Sequence, residues 1–111
     1  MVIFVEADPG AYQLSGAVIG TNAEIEISQG DVLAFKLNAK GHPFWIKTKQ
    51  GTGKNNAVSS GISGVGQGKT SGALIWDTTK IEEGTYYYQC QYHVAMVGKI
   101  TVSAKRGTAV F

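Results

Sequence analysis

The chain has 111 residues, enough for one domain spanning 1–111 with a core that needs no staple. Its 43% hydrophobic content includes no apolar run near the ~20 residues that span a bilayer, so membrane insertion is not expected. A net charge of +2 gives no basis for nucleic-acid binding, and a single cysteine excludes both an intramolecular disulfide and a binuclear copper centre bridged by two thiolates.

Helix signals are nearly absent: apolar spacing at i, i+3, i+4 is not sustained, and the 15 glycines are too frequent for long helices. Alternation is plentiful instead. Residues 2–5 and 12–19 read as strands separated by Asp8-Pro9-Gly10. The opening Met1-Val2-Ile3-Phe4-Val5-Glu6 is too short, and lacks the basic start, to be a secretory leader. Periplasm or thylakoid lumen is therefore expected only if a leader was removed, and cytoplasm or virion otherwise. Residues 23–27 form a period-two strand, Gln29-Gly30-Asp31 a turn, and 32–37 a strand with Leu33, Phe35 and Leu37 on one face.

Residues 44–47 read as a short strand. The five lysines from Lys36 to Lys54 read as solvated strand ends. Residues 51–72 hold seven of the 15 glycines, interleaved with Ser, Thr and Asn. That composition predicts a long surface loop, a tolerated insertion rather than a flap, with one short edge strand or helical turn near Ala57-Val58. Strands over 73–76, 85–90 and 99–102 complete the pattern, with Trp45 and Trp76 expected in the core. The tail 105–111 lies beyond the last strand, where Ala109-Val110-Phe111 could add an edge strand or dock on a partner. Short strands at turn-punctuated intervals predict an all-β fold, a Greek-key antiparallel β-sandwich.

The stretch Cys90-Gln91-Tyr92-His93-Val94-Ala95-Met96 places a thiol, an imidazole and a thioether within seven residues, at the end of a strand. If Cys90 points inward, so do Tyr88 and Tyr86, while Gln89 and Tyr87 face out. The other histidine, His42, follows Lys40-Gly41 where an earlier strand ends. In a sandwich, His42, Cys90, His93 and Met96 can meet at one end. Singly, each has an ordinary structural reading: a buried small hydrophobe, core filler, or a histidine that binds nothing. Jointly, every Cys, every His and the non-initiator Met enter one consistent donor set. Zinc accepts Cys and His, but thioether suits it poorly and the 90–96 loop has no carboxylate. Two His, one Cys and a weak axial Met are the donors of a blue-copper electron-transfer site, so one copper ion cycling between Cu(I) and Cu(II) is the expected cofactor.

From Gly84 through Cys90, His93 and Met96 to Val102, the sequence resembles the C-terminal signature of the cupredoxins, with a short ligand loop similar to that of amicyanin. Ala23-Glu24-Ile25-Glu26-Ile27-Ser28-Gln29-Gly30-Asp31-Val32-Leu33-Ala34-Phe35 resembles the family's strand, Gly-Asp turn and strand leading to the first histidine. Gly41-His42-Pro43-Phe44-Trp45-Ile46 resembles plastocyanin-like domains of marine cyanobacteria and their phages. The resemblance implies copper ligation by His42, Cys90, His93 and, weakly, Met96. Three departures stand out. The residue after the first histidine is often Asn in the family, with its N–H bonded to the cysteine sulfur; Pro43 has none. Gln89 stands where plant plastocyanins carry an outward docking Tyr. The opening residues do not read as the leader expected of an exported cupredoxin.

The expected activity is one-electron transfer by a monomer that docks transiently, near His93, on a redox partner protein. Pro43, Phe44, Val94 and Ala95 are the expected apolar surround. An enzyme is not expected, since no second histidine or carboxylate accompanies Cys90 in its loop. The alternatives are a cupredoxin-like structural or interaction module, on a surface or phage virion, with absent or incidental copper, and a copper-trafficking or storage protein.

Overall fold

Alternating side chains build the core. In the computed structural model, which describes residues 1–105, strand β1 (Val2–Asp8) buries Ile3 and Val5 completely and leaves Val2, Phe4 and Glu6 exposed. Strands β2 (Ala11–Gly16), β4 (Ile25–Ser28) and β5 (Val32–Asn38) repeat the pattern with Tyr12 and Leu14, Ile25 and Ile27, and Leu33, Phe35 and Leu37 inside. Between β2 and β4 lies a two-residue strand, β3 (Gly20–Thr21). The expected strand over 12–19 stops at Gly16, whose φ of 90° turns the chain.

The remaining strands are β6 (Phe44–Lys47), β7 (Ile62–Gly64), β8 (Ser71–Asp77), β9 (Gly84–Cys90) and β10 (Val97–Ser103). A six-stranded sheet runs β3-β2-β1-β5-β8-β7 and a four-stranded sheet runs β4-β10-β9-β6. Their inner faces share one apolar cluster, so the all-β sandwich expected from the sequence is the fold. Most pairings are antiparallel. Each sheet also contains one parallel pair, β1 with β5 and β4 with β10. The edge segment expected at Ala109-Val110-Phe111 lies outside the described residues.

Residues 51–72 are more than an insertion. The bridge Lys47↔Ala57 and the bonds Val58 N–H to Ile46 O (2.9 Å) and Gly68 N–H to Phe44 O (2.9 Å) lay this segment along β6. Gln67 reinforces it by accepting from Ile46 N–H and donating to Ile46 O. Its β7 then pairs with β8 of the other sheet. The segment thus spans from one sheet to the other and buries Val58 in the core. A composition rich in Gly and Ser gave no apolar signal of this role.

An aromatic cluster joins the sheets. Tyr12 and Phe35 from one meet Phe44 and Tyr88 from the other; Phe44 lies 5.1 Å from Tyr12, 5.1 Å from Phe35 and 5.5 Å from Tyr88, ring centre to ring centre. Such pairs add about 0.5–1.5 kcal/mol each beyond the area they bury. Tyr88 lies across Gly98 on β10, and its hydroxyl donates to Ala23 O at 2.7 Å. A Cβ on Gly98 would overlap the Tyr88 ring, so only glycine fits there. Gly98→Ala is expected to displace Tyr88 and cost about 1–3 kcal/mol, read as a lower urea midpoint with an unchanged slope.

Candidate metal centre

The register of β6 against β9 brings the expected donors together. Phe44 pairs with Cys90, so the residues just before β6 and just after β9 share one end of the sandwich. Upstream of β6, His42 N–H donates to Ala39 O (2.9 Å) in a turn whose Gly41 has a φ of 84°, and Pro43 then leads into the strand. Downstream of β9, Cys90 N–H donates to Met96 O (2.9 Å) and Met96 N–H to His93 O (3.1 Å). These two bonds close the 91–96 loop at its base and fold it back on Cys90.

Cys90 Sγ lies 3.5 Å from His93 Nδ1 and 3.7 Å from His42 Nδ1, and the imidazole centres are 4.9 Å apart. Among the described residues, this is the one group of three or more His, Cys, Asp or Glu side chains able to share an ion, with donor atoms all within 4.8 Å of one another. The spacing can be tested against metal chemistry. Bonds of about 2.3 Å to sulfur and about 2.0 Å to nitrogen, opened by about 110–120° at a common ion, separate S from N by about 3.5–3.8 Å. Both observed distances fall in that range. The donor set of thiolate and two imidazoles, without carboxylate, fits copper. Met96 is completely buried beside them, its backbone bonded to both Cys90 and His93.

Burial is graded across the site. Cys90 and Met96 are inaccessible, His42 is half-buried and His93 is exposed. Around His93, Tyr92 (63% exposed) and Val94 (69%) form an apolar surface together with Ala95. Phe44, expected in that surround, is instead completely buried in the aromatic cluster. Trp45 is also displaced from expectation. It is half-buried on the outer face of its sheet, lies over Gly68, and its indole N–H donates to Gln91 Oε1 at 3.0 Å.

Several supporting residues carried no signal in the sequence. The Tyr12 hydroxyl, thirty positions from His42, donates to His42 O at 2.8 Å and approaches Pro43 O at 3.2 Å. Burial, then the neighbouring Cys90 sulfur, hold this phenol far above its ordinary pKa, so it remains a donor. Gln91 N–H donates to Pro43 O (3.0 Å), tying the two halves of the site together. Among the described residues no backbone N–H reaches Cys90 Sγ, in keeping with the proline at position 43. Gln89 follows alternation in direction but is completely buried rather than solvent-facing. Lys47, expected as a solvated strand end, is only 1% exposed.

A family model described as copper binding proteins of the plastocyanin/azurin family matches residues 15–103, and the chain belongs to that family. Solved structures agree. Reduced rusticyanin is 27% identical, with a TM-score of 0.58 over 91% of this chain and 77% of that one. Rusticyanin from Thiobacillus ferrooxidans is 26% identical, with a TM-score of 0.58 over 91% and 75% of the two chains. A point mutant of amicyanin in its reduced Cu(I) form at pH 4 is 25% identical, with a TM-score of 0.52 over 91% and 81%. No curated protein sequence matches the chain. The chain is thus a copper-binding β-sandwich of the cupredoxin type.

Tyr12→Phe keeps the ring but leaves His42 O without its hydroxyl donor. The expected cost is about 1 kcal/mol of stability, measured by urea unfolding of the metal-free protein.

Proposed function

We propose that His42, Cys90, His93 and Met96 bind one copper ion and that the protein carries single electrons between redox partners. The observation that carries this reading is the convergence of His42 Nδ1, Cys90 Sγ and His93 Nδ1 at separations suited to a shared ion. Bound copper supplies a one-electron couple, Cu(I)/Cu(II), and the protein's part is to hold its donors still. Cys90 and Met96 come from the buried end of the site, where water is excluded. His42 is held through its carbonyl by Tyr12 and through its N–H by Ala39. Donors fixed in this way need not rearrange when charge changes.

His93 is the exposed member and the natural route for an electron to leave. Tyr92, Val94 and Ala95 give a partner an exposed apolar surface around it. Transient electron-transfer interfaces are small, below about 1,200 Å² of total buried area, so this surface suffices for docking. A catalytic reading has less support: the cluster contains no carboxylate to orient a histidine beside the Cys90 nucleophile.

One equivalent of Cu(II) is expected to give the intense blue absorption of thiolate-to-copper charge transfer, bleached by ascorbate and lost in Cys90→Ser. A folded wild-type protein with no such band would overturn the assignment. Pro43→Asn would offer the sulfur an N–H, drain its electron density and favour Cu(I). Voltammetry is therefore expected to give this variant a higher reduction potential than wild type.

A further inference from the structure

We infer that Gln89 and Lys47 form a clamp that positions the 91–96 ligand loop from the outer face of the sheet, an inference that rests on the copper reading above. Gln89 lies on β9 beside Cys90, and strand alternation sends its side chain to the face opposite the sulfur. It is nevertheless completely buried, because residues 51–53 fold over it. Its Nε2 donates to His93 O at 2.9 Å and reaches Cys90 O at 3.2 Å, with Val94 O and Met96 O at 3.4 Å. One amide therefore fills the inside of the loop that carries two of the proposed ligands. Its Oε1 accepts from Gly51 N–H at 3.1 Å. A donor on one side and carbonyls on the other fix which way the amide points.

The covering segment is itself anchored. Lys47 Nζ donates to Gly51 O (2.6 Å), Gly53 O (2.8 Å) and, at longer range, Thr52 O (3.3 Å). The three donors of an ammonium thus meet three carbonyls of one short turn. Burying a lysine is costly unless its charge is satisfied in this way, and burial does lower the Lys47 pKa. Gly53 N–H then donates to Gln91 O (2.8 Å), a second attachment to the ligand loop. The chain of contacts runs Lys47, residues 51–53, Gln89, ligand loop. Its contacts with the proposed ligand residues are to their backbone carbonyls and not to their ligating side-chain atoms, so its role is positioning.

The test uses three variants of the full chain. Gln89→Met keeps the bulk and removes the bonds, Gln89→Glu turns an oxygen toward the loop carbonyls, and Lys47→Met releases the 51–53 turn. In metal-free protein, amide hydrogen exchange at Cys90 and Met96 is expected to accelerate about tenfold or more relative to wild type, the loss of roughly one hydrogen bond. Val5 and Leu14, in the opposite sheet, should stay within about twofold, which separates local loosening from global destabilisation. After copper addition, Gln89→Met and Gln89→Glu should show an altered charge-transfer band and a shifted reduction potential. Wild-type exchange at Cys90 and Met96 in the Gln89 variants, or copper spectra and potentials identical to wild type, would overturn the clamp. If Lys47→Met fails to fold, the Gln89 variants decide. Absence of the band in wild-type protein counts against the copper reading, and the exchange rates then judge the clamp by themselves.

Discussion

The site depends on one strand pairing. Antiparallel registry of Phe44 with Cys90 sets the start of β6 beside the end of β9, and every other relation follows from it. His42 stands two residues before Phe44, so a slip of one residue would carry Phe44 out of the core and its neighbours to the wrong face. The slip is resisted because Phe44 contacts Tyr12, Phe35 and Tyr88 in the layer between the sheets. Hydrophobic packing thereby fixes a distance of a few ångströms between a histidine and a cysteine 48 positions apart in sequence.

Around that pairing, polar bonds convert a rough placement into a defined one. Tyr12 holds the carbonyl of His42, Gln91 holds that of Pro43, and Met96 closes the loop back onto Cys90. The site is assembled from both sides of its sheet: the aromatic layer supports it from within, and the 51–53 turn with Lys47 and Gln89 supports it from without. Such preorganisation suits a centre whose ligands must serve two oxidation states with little movement. The exposed His93, set among Tyr92 and Val94, is where this rigid interior meets solvent.

Much of this was legible in the sequence because it was written in local patterns. Alternation pointed to the strands, and the scarcity of Cys, His and Met pointed to His42, Cys90, His93 and Met96 as candidate donors, of which the fold brings the first three within reach of one another. What was not legible depended on contacts between distant segments. Gln89 read as outward by parity, correctly for its direction, but parity cannot tell that a glycine-rich turn will cover it. Lys47 read as a surface charge because no sequence rule foresees three carbonyls gathered around an ammonium. Phe44 read as rim from its nearness to His42, whereas the sandwich interior claimed its ring. Tyr12 belongs to a strand of the other sheet, and only the packing of the two sheets brings its hydroxyl to His42.

If the protein itself sets the donor geometry, copper enters a site already formed. Crystal structures of the metal-free and copper-loaded protein test this most directly. An ion is expected between His42, Cys90, His93 and Met96, with the donor atoms displaced by no more than about 0.5 Å between the two forms. An ion bound elsewhere, or a 91–96 loop that refolds when copper enters, would contradict it.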